Sequence, residues 1–223
     1  MKMESLRSIE LFRDLCEGEL QDVRAVATKR EYGRGEYIFM EGETREAVFF
    51  VQRGLIKIFK VDPEGREHIV NALGTGQMFP HMGFFNHAPY PGTAEVLSPT
   101  TLWLIGTNKF EELLTSHPAL VRKMIAIMGQ KISQLQAKLQ ELALFDAHER
   151  VAALVRHFGE EHGVVAQDGI HIHLPITHGE MGRMIGMSRE SVSRIWNEFR
   201  REGILTGDKD DWILDKGWFE RGT

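Results

Sequence analysis

The sequence predicts an α+β chain of two domains joined by one long helix, and three observations carry that expectation. Short apolar runs alternate with glycine between Tyr32 and Leu104, apolar residues recur at helical spacing beyond Ser116, and past Asp146 two short helical patterns precede a strand pair. The 223 residues are enough for two domains, each with its own core. With 42% hydrophobic and 26% charged residues, the chain has a globular rather than a disordered composition.

In the first part, assigned to residues 1–116, the strand-like runs are YIFM, VFFV, LIKIFKV, HIVNAL, TAEV and TLWLI. Glycines separate them, among them Gly42, Gly54, Gly65 and Gly74, and PEG at 63–65 lies between two runs as a hairpin loop would. Several short strands at this spacing predict a small barrel or sandwich.

A helix follows over residues 117–145. Ser116 reads as its N-cap and Pro118 is tolerated in its first turn. Val121, Ile125, Met128, Ile132, Leu135, Leu139 and Leu142 then recur at spacings of four and three, with Lys131, Gln134, Gln136, Lys138, Gln140 and Glu141 between them. One narrow apolar stripe on a polar helix predicts a partner helix, most simply the same helix of a second chain. Gly129 interrupts the helix at a cost of about 1 kcal/mol relative to alanine, which points to a close approach of backbone or ligand.

The third segment spans residues 146–223. Asp146 caps a helix that places Val151, Leu154, Val155 and Phe158 on one face. The most specific stretch runs from Thr177 to Leu205. Thr177 and Glu180 form a capping box, Met181, Met184 and Ile185 face inward, Gly186 ends the helix and Ser188 caps the next. In that second helix Val192, Ile195 and Phe199 point to the core, leaving Arg189, Glu190, Ser193 and Arg194 on the outside near the N-terminus, the geometry of a recognition helix in a major groove. Arginine suits guanine O6 and N7, glutamate accepts from cytosine N4, and Thr177, His178, Ser188 and Ser191 stand where a helix start meets phosphate. ILTGDKDDWIL reads as strand, turn and strand, a wing. A net charge of −5 does not exclude DNA, because only a local basic face is needed.

Other classes are weaker. Cys16 is the only cysteine, which excludes a disulfide framework, a thiolate zinc site and an iron–sulfur cluster on four cysteines. His171, His173, His178 and Asp168 superficially resemble a metal-ligand string, but Ile170, Ile172 and Leu174 alternate with the first two histidines, so a half-buried strand turns those histidines to water. No Walker loop, GxSxG elbow or HExxH helix is present, so no enzyme and no metal site is expected. There is no apolar run of about eighteen residues and no signal-peptide pattern, so a cytoplasmic protein without membrane contact is expected. A signalling dimer using its C-terminal domain for protein contacts stays as a second reading, against which the exposed Arg189 and Arg194 speak.

The order of these segments, together with ITHGEMGRMIGMSRESVSRIW, resembles the cAMP receptor protein and FNR superfamily of bacterial transcription regulators. RGEYIFMEGE and VQRGLIKIFK also resemble that family's early strands. The resemblance implies an N-terminal cyclic-nucleotide-binding-like β-roll (a jelly roll), a dimerisation helix and a winged helix-turn-helix. It further implies a homodimer on palindromic double-stranded DNA with TGTGA-like half-sites, read through Arg189, Glu190, Ser191 and Arg194, and contact with RNA polymerase if the protein is an activator.

The effector cassette departs from the family. FPHMGFFNHAPYPGTAEV keeps Gly83, Thr93 and Ala94 in frame, but Pro80 and His81 replace the glycine and glutamate, and Pro91 with Gly92 replace the phosphate-binding arginine. Leu135 and Gln136 match the adenine-contacting threonine and serine of the family's helix. Lacking a bidentate partner for a cyclic phosphate, the site is not expected to take cAMP. An effector pocket would draw on His81, Met82, Gly83, Tyr90, Thr93, Ala94, Leu135 and Gln136. Some family members bind haem in this region, so haem at His81 or His87, a small anion, and an unused pocket all stay open.

Overall fold

The computed structural model describes residues 4–81, 85 and 88–221, with backbone alone at residue 4 and over 137–144. The chain divides into two compact units, Met1–Gln134 and Leu135–Thr223.

The first unit opens with α1 (Glu4–Arg7), a 3-10 turn (Glu10–Phe12) and α2 (Glu17–Val26). It continues through β1 (Ala27–Tyr32), β2 (Tyr37–Phe39), β3 (Ala47–Val61), β4 (Glu67–Leu73), β5 (Met78–Phe79) and β6 (Thr93–Gly106). α3 (Thr107–Ser116) follows, and α4 (Pro118–Leu144) runs past the end of the unit. The strands are antiparallel in the order β1-β6-β3-β4, with β2 on β6 and β5 on β3. This is the expected β-roll with flanking helices.

Four of the apolar runs prove to be halves of two long strands. VFFV and LIKIFKV join through Gln52–Gly54 into β3, TAEV and TLWLI join into β6, and the two pair from Ala47↔Gly106 to Phe59↔Thr93. Gly54 makes the join workable: its φ is +110°, and a Cβ there would lie 2.7 Å from the Thr100 Cα, inside the register shifts of the pair. β1 (ATKREY) carries no apolar run and was not anticipated; as an edge strand it buries only Ala27.

VFFV is continuously apolar because the strand is covered on both faces. Val48 and Phe50, with Trp103 and Ile105 of β6, pack under Leu6, Phe12, Leu20, Phe110, Leu120, Met124 and Ile127 of the helices. Phe49 and Val51 turn the other way, into the roll with Phe39, Phe79, Tyr90, Ala94 and Leu102.

Two expectations for the helices need correction. Ser116 does not cap α4: it is the last residue of α3, and its hydroxyl donates 2.8 Å to the Glu112 carbonyl. Nor does α4 carry a single stripe, because Leu120, Met124 and Ile127 are buried on the roll. The predicted seam is a second face: Val121, Ile125, Ile132 and Leu135 are 38, 65, 58 and 59% exposed, with Met128 partly buried beside it. Leu139 and Leu142 lie on backbone-only residues, outside the described side chains. A Cβ at Gly129 would meet nothing within 4 Å, so no close approach among the described residues explains that glycine.

The second unit holds α5 (Ala147–His162), β7 (Val164–Val165), β8 (Ile170–His173), α6 (His178–Ile185), α7 (Arg189–Arg201), β9 (Leu205–Asp208), β10 (Asp211–Leu214) and α8 (Lys216–Glu220). Its sheet has the order β7-β8-β10-β9 and is antiparallel throughout. Asp146 caps α5 through the Glu149 N–H, and Val151, Leu154, Val155 and Phe158 are buried as the periodicity predicts. Leu174, Met181, Val192, Ile195, Trp196, Phe199, Leu205 and Leu214 are buried as well. No helix among the described residues is long and apolar enough to cross a membrane.

Candidate nucleic-acid interface

The interface is built from two capped helices and a tight turn. At the start of α6, Thr177 Oγ1 accepts from the Glu180 N–H at 3.2 Å while the Thr177 N–H donates to Glu180 Oε2 at 2.8 Å. Gly186 ends α6 in the left-handed region at φ 68°. The turn is close, since a Cβ on Gly182 would lie 2.5 Å from the Met187 carbonyl oxygen, whose own N–H donates to Gly182 O at 2.9 Å. Ser188 then caps α7, accepting from the Ser191 N–H at 3.1 Å.

Val192, Ile195, Trp196 and Phe199 anchor α7 from behind. The face they leave outward carries Arg189, Glu190 and Arg194 exposed and Ser191 and Ser193 half-buried. Among the described residues neither arginine has a carboxylate partner, so both guanidinium groups remain available. Two cations beside the positive end of a capped helix make an anion-attracting surface at which side chains can also reach base edges.

His178, the first residue of α6, is half-buried with its ring 5.4 Å from that of Trp196. Burial, and then the charge of Arg189, hold its pKa below the ordinary histidine value. All eight sequence-predicted DNA residues thus fall on the start of α6 and the first turns of α7. The sequence reading missed how the wing is held: Trp196 meets Trp212 edge-on at 5.1 Å, Trp212 Nε1 donates 3.0 Å to the Lys209 carbonyl, and Arg200 covers the Trp212 ring at 5.6 Å. The signal available was the tryptophan of DDWIL one strand after the basic end of α7.

The histidine strand behaves as its alternation predicts, with Ile170 and Ile172 buried and His171 and His173 exposed. Each histidine pairs instead with an aspartate at 2.8 Å, His171 with Asp168 and His173 with Asp211. The hydrogen bond from His171 holds the Asp168 carboxyl below the usual range. No group of three metal-ligating side chains occurs among the described residues.

The effector candidates separate. Met82, Gly83 and His87 lie outside the described residues. His81 is half-buried, and desolvation together with the Lys131 charge depresses its pKa to about 4. Tyr90 stacks on Phe39 at 3.8 Å and exchanges hydrogen bonds of 3.2 Å with the Ala47 backbone, which makes it part of the aromatic core. Thr93 Oγ1 accepts from the Glu41 N–H at 3.1 Å, and Ala94 is fully buried. Leu135 and Gln136 are exposed and belong to the second unit. Gly92, where the phosphate arginine would stand, is packed so that a Cβ would lie 3.0 Å from the Phe59 carbonyl oxygen.

A strand roll followed by a two-helix, strand-paired domain with exposed arginines is an architecture suited to a DNA-binding regulator. Residues 29–117 match the family described as cyclic nucleotide-binding domain, and residues 149–217 match the Crp-like helix-turn-helix domain. The chain belongs to the CRP/FNR family of transcription regulators. It is 26% identical over 203 residues to the anaerobic regulatory protein of Bacillus subtilis, covering 90% of this chain and 85% of that one. It is 28% identical over 201 residues to the transcriptional activator protein FnrA of Stutzerimonas stutzeri, covering 88% and 82%. Among solved structures FixK2 from Bradyrhizobium japonicum superposes with a TM-score of 0.77 at 23% identity, over 88% of this chain and 96% of that one.

Proposed function

We propose that the protein is a homodimeric regulator that reads a palindromic, TGTGA-like site through Arg189, Glu190 and Arg194, and that its effector is not cAMP. The observation that carries the DNA reading is the doubly capped turn, which presents two arginines without carboxylate partners at the positive end of a helix. The exposed face of α4 supports the dimer, because Val121, Ile125, Ile132 and Leu135 are apolar and uncovered in the single chain. The packed Gly92 and the half-buried His81 with its depressed pKa support exclusion of cAMP, since neither supplies an ionic partner for a cyclic phosphate. RNA polymerase would be a further partner of an activator, and the cytoplasm the compartment of any such regulator.

The test is fluorescence anisotropy of the ligand-free protein with a labelled TGTGA palindrome and a scrambled control at about 0.15 M salt. Sequence-specific binding is expected, with Arg189→Ala and Arg194→Ala each costing about 1–3 kcal/mol and leaving the dimer intact. Equal affinity for both duplexes, without ligand and with each candidate ligand added, overturns base readout. Specific binding without ligand would make any effector an inhibitor or unnecessary, whereas specificity gained only on adding a ligand would identify an activator.

A further inference from the structure

We infer that His178 is a proton-linked phosphate contact: its imidazole takes up a proton from solvent when a DNA phosphate is set beside the start of α6. The inference rests on the DNA reading above and names a regulation of that same surface.

Three features converge on this ring. His178 is the first residue of α6, where the helix N–H groups attract an anion, and it stands on the same side of the domain as the Thr177 cap. It is half-buried against Trp196, itself 1% exposed, so part of the ring is shielded from water. The cation Arg189, on the neighbouring helix α7, acts on it electrostatically. Burial and Arg189 both oppose protonation in the free domain.

The other charges of the neighbourhood do not offset this. Glu180 on α6 is turned back onto Thr177, receiving both its N–H and its hydroxyl at 2.8 and 2.9 Å. Arg183, a turn further on, is another cation, beside Gly179. No charge of α5, the other helix packed on α6, shifts the imidazole.

A duplex reverses the balance. A phosphodiester at the α6 terminus brings a negative charge within reach of the ring, and Arg189 turns its charge toward bases or backbone oxygens. Both changes favour the imidazolium, which then donates a charge-assisted hydrogen bond to phosphate. Because the bound form has the higher pKa, the complex gains affinity as pH falls through the interval between the two values, by at most tenfold per pH unit for one proton.

The experiment is anisotropy with the specific palindrome at constant salt from pH 8 to pH 6, using the full-length protein, His178→Gln and His178→Arg, with far-UV circular dichroism to confirm folding. Wild type should tighten about three- to tenfold more than His178→Gln across that range. His178→Arg, permanently charged, should bind at pH 8 as wild type does at pH 6. Calorimetry in two buffers of different ionisation enthalpy should show uptake of up to one proton that the glutamine variant lacks. Specific binding with the same pH profile in wild type and His178→Gln overturns the proton linkage alone. Failure of wild type to prefer the palindrome at any pH overturns the DNA reading instead.

Discussion

At the scale of single residues, the turn between α6 and α7 depends on Gly182. Its missing side chain lets the Met187 carbonyl approach to a distance no Cβ would tolerate. Gly182→Ala should therefore destabilise the second unit by about 2 kcal/mol in urea titration and weaken DNA binding, because the backbone must open the turn. His81 gives a different handle. Its folded pKa of about 4 lies below the unfolded value near 6.5, so the unfolded chain binds a proton first. Stability should be complete above about pH 6.5, fall as pH drops from there and level off below about 4; His81→Asn should remove that part of the pH dependence in thermal melts. Neither effect is visible in the letters alone. A glycine within a helical pattern gives no sign of a close approach, and a loop histidine read as an effector candidate gives no sign of its depressed pKa, until the distances and surroundings are known.

At the scale of elements, α4 serves two masters with two faces. Leu120 is fully buried on the roll, so Leu120→Ala should cost about 2–4 kcal/mol in denaturation of the first unit. Ile132, 58% exposed, should do the opposite: Ile132→Lys should leave the monomer's fold intact yet shift sedimentation from dimer to monomer. The outward heptad pattern was legible because it is long and regular, whereas the inward face occupies only the first turns of the helix and was read as part of a polar remainder. The same physics explains β1 and α3. An edge strand that buries one residue, and a helix whose buried Thr107, Phe110, Leu113 and Leu114 span barely two turns, leave little periodicity to detect. By contrast, caps at Thr177, Ser188 and Asp146 were readable because local hydrogen bonding determines them.

At the scale of the whole molecule, the regulator combines a legible DNA-binding domain with an N-terminal domain whose cassette sequence departs from the family pattern. The positions that carry cyclic-phosphate recognition in the family are, in this chain, a glycine packed on β3 and a half-buried histidine under the charge of Lys131. Calorimetry should accordingly detect no micromolar cAMP binding. Gly92→Arg alone should not restore it, because the added side chain starts 3.0 Å from the Phe59 carbonyl oxygen, which must first give way by a few tenths of an ångström, and His81 still stands in the place of the family's glutamate. The strand and helix pattern is set by burial, which composition and spacing reveal. Ligand choice turns on a few contacts within one loop, and single substitutions there change the chemistry while leaving the roll unaltered.

The aromatic packing of the second unit equips the protein with its own optical probe. Of the four tryptophans, Trp196, Trp212 and Trp218 lie in the winged-helix unit and only Trp103 in the roll. Trp212 is tied to the wing backbone and covered by Arg200, while Trp103 lies beneath the guanidinium of Arg24 at 5.2 Å. Emission excited near the red edge of indole absorption is thus weighted toward the DNA-binding end, and a Trp103→Phe variant would make it report that end alone. Occupancy of the operator could then be followed without any dye, in the same cuvette as a ligand titration.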